Sequence, residues 1–167
     1  NSNKKEFFYL YGLTGSGKTE VFLKAAEKII GGGKAVIYLV PEIGLTHQVI
    51  SAAVKRFGSQ AAVLHSGLTG SERLNQWMRI RRGEALMIVG ARSAVFAPAE
   101  NIGLIIIDEE HDASYKSGSV PRYHARQTAM YLAVKHNCPV VMGSATPSLE
   151  AWNMIQNKKI KLLSLSK

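Results

Sequence analysis

Gly12-Leu13-Thr14-Gly15-Ser16-Gly17-Lys18-Thr19 is the stretch on which the fold turns. It matches G-x-x-x-x-G-K-[ST], a loop whose backbone N–H groups converge on phosphate oxygens. Glycines permit that convergence because no Cβ stands in the way. The flanking residues supply the context the pattern needs. Phe7–Tyr11 is a short apolar and aromatic run that reads as a buried strand. From Lys18 to Ile30, Val21, Phe22, Ala25, Ala26, Ile29 and Ile30 recur at helical spacing, and Gly31-Gly32-Gly33 ends the run. A strand, a glycine loop and a helix in that order put the positive end of the helix dipole at the loop. Gly12, Thr14, Gly15, Ser16, Gly17, Lys18 and Thr19 are therefore the candidate nucleotide-binding residues. Lys18 is placed to reach the β- and γ-phosphates and Thr19 to ligate Mg²⁺.

Outward from this loop the same alternation repeats. Strands are expected at Ala35–Val40, Ala61–Leu64, Leu86–Val89, Gly103–Ile107 and Val140–Met142, with an edge strand over 160–165. Helices are expected over 45–57, 69–82, 124–136 and 148–156. Thr69-x-x-Glu72 has capping-box spacing at the start of the second of these. Residues 112–123 show no period and read as a loop. Repeated strand–helix alternation predicts an α/β fold: a mostly parallel sheet with right-handed crossovers and helices on both faces.

The fifth strand ends in Ile105-Ile106-Ile107-Asp108-Glu109-Glu110-His111. An apolar strand that delivers carboxylates at its C-terminal end places them where parallel sheets bind ligands. Asp108 is assigned to Mg²⁺, and Glu109 to orienting and deprotonating an attacking water. With Lys18 they form the candidate catalytic set.

Composition narrows the class. The chain has 167 residues, one domain at ~100–200 residues per domain. Lys and Arg number 21 against 12 Asp and Glu, which favours an anionic partner. The excess is concentrated in residues 121–167, with seven basic residues and one acidic. A lone Cys138 excludes a disulfide framework or a Cys-rich zinc site and reads as a buried small hydrophobe. The five histidines lack metal-ligand spacing, so no zinc is expected. No apolar run approaches the ~20 residues of a membrane span. Trp77 and Trp152 read as packing residues. Arg79, Arg81 and Arg82 read as a solvated helix end.

With these residues in place, the sequence resembles the superfamily-two helicases. Asp-Glu-Glu-His after one strand and Gly143-Ser144-Ala145-Thr146-Pro147 after the next are similar to two of their motifs. Closer still is the resemblance to the primosomal replication-restart DNA helicases. Leu13–Phe22, Val40-Pro41-Glu42-Ile43, Leu64-His65-Ser66-Gly67-Leu68, Arg92–Pro98 and the segment from Ser114-Tyr115-Lys116 to Pro121-Arg122-Tyr123-His124-Ala125-Arg126 carry it. Ala91 stands where that family usually has Thr or Ser, and Gln127 where an acidic residue is frequent.

The resemblance implies a RecA-like P-loop NTPase domain over 7–157, with 1–6 an N-terminal edge and 158–167 a basic tail leading to a second RecA-like domain. It implies ATP and Mg²⁺ as cofactors, ATP hydrolysis coupled to movement along single-stranded DNA, and action in replication restart and primosome assembly. His111, Ser144 and Thr146 would couple nucleotide state to DNA grip. Pro41, Glu42, Thr46, Arg92 and Ser93 would lie along the strand track, and Tyr115, Lys116, Arg122, Tyr123 and Arg126 would contact DNA from an aromatic-rich loop. Basic and aromatic residues together suit phosphate neutralisation and base stacking, although the same composition suits a solvated loop. Single-stranded or forked DNA, the second domain and other primosome proteins are the implied partners, in the bacterial cytoplasm at the nucleoid and not at a membrane. Other readings are a different superfamily-two DNA or RNA translocase, a small P-loop kinase, and a nucleic-acid-binding module without turnover. The segment 114–126 argues against the first. A kinase needs a lid and an acceptor site, whereas this chain devotes its middle to the Pro41, His65 and Arg92 segments.

Overall fold

The computed structural model describes residues 6–42 and 47–165. In chain order the elements are β1 (Phe7–Tyr11), α1 (Lys18–Gly31), β2 (Ala35–Leu39), α2 (His47–Phe57), β3 (Ala61–Leu64), α3 (Gly70–Arg81), β4 (Met87–Gly90), β5 (Ile102–Asp108), α4 (Ala125–His136), β6 (Val140–Ser144), α5 (Leu149–Gln156) and β7 (Lys161–Ser164). The strands form one sheet in the order β3-β4-β2-β5-β6-β1-β7, and every described pair is parallel. β5 lies near the middle and all seven of its residues are buried, as a strand covered on both faces requires.

Alternate strand residues feed two cores. On one face Leu10, Val36, Tyr38, Leu104 and Ile106 pack under Phe22, Leu23 and Ala26 of α1 and Ala53 and Phe57 of α2. On the other, Tyr9, Ile37, Leu39, Ile105 and Ile107 pack under Ile80 of α3, Ala125, Ala129 and Ala133 of α4 and Ala151 of α5. Gly143 is required by the first packing, because a Cβ there would stand 2.5 Å from the Phe22 ring. The capping box forms: Thr69 Oγ1 accepts from the Glu72 N–H, and the Glu72 carboxylate accepts from the Thr69 N–H.

The tail expected over 158–167 is partly sheet. β7 pairs with Phe8–Tyr11 of β1, and the Leu165 N–H donates to the Tyr11 carbonyl, so the fold runs past 157. The edge-strand reading of 160–165 therefore describes this region better than a tail. Two groups of strand ends result. β5, β6 and β1 are neighbours and carry Asp108, Ser144 and the glycine loop. β3, β4 and β2 carry His65, Ala91–Arg92 and Pro41–Glu42.

Candidate functional site

The glycine loop leaves β1 and enters α1 with Gly15 at φ +79° and Gly17 at φ +89°. Both are left-handed conformations that cost a Cβ-bearing residue energy. Beyond the adjoining residues, no atom lies within 4 Å of where either Cβ would stand. Lys18 Nζ donates to the carbonyls of Gly12 at 2.8 Å and Leu13 at 3.3 Å. Ser16 Oγ is buried without a hydrogen-bond partner among the described residues. A buried hydroxyl is rarely left so. Open N–H groups at a helix start, a lysine and an unpaired hydroxyl are the donors that a phosphate chain accepts from.

Across the loop stands the acidic turn. Asp108 is nearly enclosed. Its Oδ2 accepts from the Tyr38 hydroxyl at 2.8 Å and its Oδ1 from the Glu109 N–H at 3.0 Å. Burial pushes its carboxyl above the ordinary value, and the Tyr38 hydrogen bond opposes that push. Glu109 takes φ +45°, a left-handed backbone for a residue with a side chain. Its carboxylate thereby sits 3.7 Å from Lys18 Nζ and accepts from Ser144 Oγ at 3.2 Å. Such strain persists where surrounding contacts enforce it, and here it aims a carboxylate at the loop.

Ser144 is the meeting point. Its hydroxyl lies 2.6 Å from His111 Nδ1, accepts from the Thr146 N–H at 3.0 Å, and has the Thr146 carbonyl and Glu109 Oε2 both at 3.2 Å as acceptors. One hydroxyl proton serves one of those two acceptors at a time. The β5-β6-β1 order puts this strand between the loop strand and the acidic strand. Thr19, in the first turn of α1, and Asp108, held by the Tyr38 hydroxyl, carry oxygen donors of the kind a hard cation such as Mg²⁺ takes.

Glu110, the third carboxylate, points elsewhere. It accepts from Arg126 Nη1, from Ser148 Oγ at 2.7 Å, from the Ser148 N–H at 3.3 Å and from the Tyr9 hydroxyl at 3.4 Å. Its side chain is fully buried and Arg126 nearly so. This cluster ties β1, the acidic turn, α4 and the start of α5 together. Nothing near Glu110 in the sequence signals it, because Arg126 and Ser148 lie 16 and 38 positions away.

Several expected DNA contacts are placed inside the fold. Tyr115 is 0% exposed, and its hydroxyl is bonded to the carbonyls of Leu39 and Asp108, so it cannot stack on a base. Arg126 is committed to Glu110 and Ser148. Pro41 is buried. Thr46 lies outside the described residues. Arg92 donates to the carbonyls of Ser114 at 3.1 Å and Lys116 at 2.8 Å, and its guanidinium lies 5.6 Å from the Tyr123 ring centre. Glu42, Ser93, Lys116 and Arg122 are exposed and Tyr123 is half-buried. Glu42 and Ser93 line a groove of about 220 Å³ with His65, Ser66, Arg73 and Trp77. Arg73 has no signal in the sequence, and Trp77 reads there only as a packing residue. Trp77 and Trp152, read as packing residues, are 40% and 47% exposed, each on the outer side of its helix. Cys138 is buried as read, and burial pushes its thiol up to about 11. No group of three or more potential metal-binding His, Cys, Asp or Glu occurs among the described residues. No described helix is long and apolar enough to cross a membrane.

Comparison with known proteins gives a consistent picture. A family model described as DEAD/DEAH box helicase matches residues 3–155. The chain is 61% identical over 159 residues to the replication restart protein PriA of Treponema pallidum (strain Nichols), covering 95% of the chain and 24% of that relative. It is 53% identical to the protein of the same name from Bacillus subtilis (strain 168), covering 99% of the chain and 20% of the relative. The chain thus spans about a quarter or less of the length of these relatives. Among solved structures, the Pyrococcus furiosus Hef helicase domain superposes with a TM-score of 0.63 at 20% identity, over 99% of the chain and 36% of that structure. RecG bound to a three-way DNA junction superposes with a TM-score of 0.62 at 19% identity, over 96% of the chain and 20% of that structure. These two likenesses establish the fold.

Proposed function

The chain belongs to the DEAD/DEAH box helicase family, and from that premise we propose that it is the first RecA-like, ATP-binding domain of a DNA helicase of replication restart. One observation carries the reading: the glycine loop, the Asp108–Glu109 turn and the Ser144–His111 pair meet at the C-terminal ends of three adjacent parallel strands. Lys18, Ser16 and the loop N–H groups hold the phosphates. Thr19 and Asp108 would hold Mg²⁺, which when bound neutralises phosphate charge. Glu109 orients a water in line with the γ-phosphate and accepts its proton. Its partner Ser144 then feels the change in charge and passes it to His111 and Thr146.

DNA is assigned to the other strand ends. Glu42, Ser93, His65, Arg73 and Trp77 border one groove, and the segment that Arg92 holds carries exposed Lys116 and Arg122 and half-buried Tyr123. Such a surface binds single strands through phosphate neutralisation and stacking. The relatives carry the name replication restart protein, which supports forked DNA and primosome proteins as partners and the bacterial cytoplasm, at the nucleoid, as the setting. An arginine from a second RecA-like domain completes such sites and is worth ~10³–10⁵ in rate. The experiment is steady-state phosphate release, with and without single-stranded DNA, from this chain and from the longest native form, with Glu109→Gln as control. DNA-stimulated release confined to the longer form and lost in the control is expected. Robust stimulated turnover by this chain would overturn the two-domain reading, and none from either form would overturn the helicase reading.

A further inference from the structure

Tyr38 is a polar residue where the sheet asks for none. It sits in β2 between Ile37 and Leu39, every residue of that strand is buried, and it pairs with Ile106 of β5. Its ring lies under α1, edge-on to Phe22 at 5.9 Å between centres. Any large apolar side chain would fill that space. A hydroxyl carried to this depth costs free energy unless it is hydrogen-bonded. Tyr38 aims its single proton at Asp108 Oδ2, 2.8 Å away, rather than at a backbone carbonyl. Tyr115 shows the alternative, since it is equally buried and its hydroxyl serves two main-chain carbonyls. The register explains the reach. Residue 38 lies beside residue 106, on the same face as residue 108, so a tyrosine ring spans the one remaining step to the carboxylate. With Oδ1 held by the Glu109 N–H, the donation to Oδ2 leaves the Asp108 carboxylate one orientation.

We propose that Tyr38 is a positioning residue of the nucleotide site: its hydroxyl, on a ring braced by Phe22, fixes the orientation in which the Asp108 carboxylate would take Mg²⁺. The inference rests on the ATP-binding function proposed above. It places part of the metal's support on β2, a strand that contributes nothing to the glycine loop or the acidic turn.

The test separates metal from nucleotide. ADP binding to this chain is followed by calorimetry in EDTA and then across a Mg²⁺ titration, for the wild type, Tyr38→Phe and Asp108→Asn. Loss of an outer partner of a metal ligand lowers metal affinity by roughly 10- to 100-fold. Tyr38→Phe is therefore expected to raise the Mg²⁺ needed for half-maximal effect by that factor, with ADP affinity in EDTA unchanged. Mn²⁺ resonance in the presence of ADP reads the metal directly and should show the same loss. An unchanged Mg²⁺ requirement in Tyr38→Phe overturns the proposal. So does an equal fall with and without Mg²⁺, which would make Tyr38 a packing residue only. ADP binding by the wild type that is indifferent to Mg²⁺ would overturn the proposal and the reading of the site beneath it together.

Discussion

The glycine loop at residues 12–19, running into α1, and the segment at 112–126, running through a 3-10 turn at Ala113–Tyr115 into α4, both leave the C-terminal edge of the sheet. They are held in opposite ways. The first is shaped by backbone dihedrals at Gly15 and Gly17, where added side chains would meet no further atom within 4 Å. The second is shaped by side chains. Tyr115 and Arg126 are buried at its two ends, Ser117 N–H donates to the Tyr123 carbonyl at 2.8 Å, and an isolated bridge joins Lys116 to His124. Only the stretch between, Gly118–Arg122, stands fully exposed with Lys116 beside it. A loop fixed by its backbone leaves side-chain groups such as the Ser16 hydroxyl, unpaired among the described residues, available to a ligand. A loop fixed by its side chains commits those groups to the fold, and only residues between the anchors remain for a partner.

The contrast breaks most sharply at Lys18. Lys18→Ala should abolish nucleotide binding measured by calorimetry, with a smaller effect on thermal unfolding: it removes the Nζ hydrogen bonds to the Gly12 and Leu13 carbonyls but leaves the Gly15 and Gly17 backbone that shapes the loop. Next comes Arg126→Ala, which leaves Glu110 buried without its charge partner and should cost ~3–5 kcal/mol in urea unfolding. A cost under ~1 kcal/mol, the range of an exposed pair, would mean that the segment is not anchored there.

The two tyrosines of the segment sharpen the comparison. Tyr115→Phe should destabilise by ~1–3 kcal/mol, the effect of leaving buried partners unbonded, with single-stranded DNA affinity unchanged. Tyr123→Ala should weaken DNA binding by ~1–3 kcal/mol if its ring stacks on a base, measured by fluorescence polarisation at fixed salt. Reversal of the two results would place the DNA-facing residue at the wrong anchor.

The smallest expected effect is pH-dependent. His124 Nδ1 accepts from the Arg126 N–H and caps α4. Burial, and then the neighbouring Arg126 charge, hold its imidazole below the ordinary value. A depressed histidine stabilises the fold in its neutral form. The contribution is complete above the unfolded value of ~6.5 and is lost as pH falls through the lower folded value. His124→Asn keeps a cap acceptor without a titrating group. Its stability relative to wild type, followed by urea unfolding, should therefore improve as pH falls from 7 to 5. Parallel stability curves would show that the cap does not depend on the neutral ring.

Much of this was legible in residue order. The glycine loop, the capping box at Thr69–Glu72 and the strand–helix alternation are local, since each rests on dihedral preferences and periodicities within a few residues. The placement of acidic residues at the end of β5 follows from the same alternation. What order alone left open was the direction in which polar side chains face. Asp108, Glu109 and Glu110 are consecutive, yet one turns to Tyr38, one to Lys18 and Ser144, and one to Arg126 and Ser148. Tyr115 and Tyr123 share a segment, and one is core while the other is partly open. Those outcomes depend on groups up to 101 positions away, such as the Tyr9 hydroxyl that donates to Glu110. A buried polar group must find a partner wherever the packed sheet provides one, so only the tertiary structure decided which of these residues support the site and which meet the ligand.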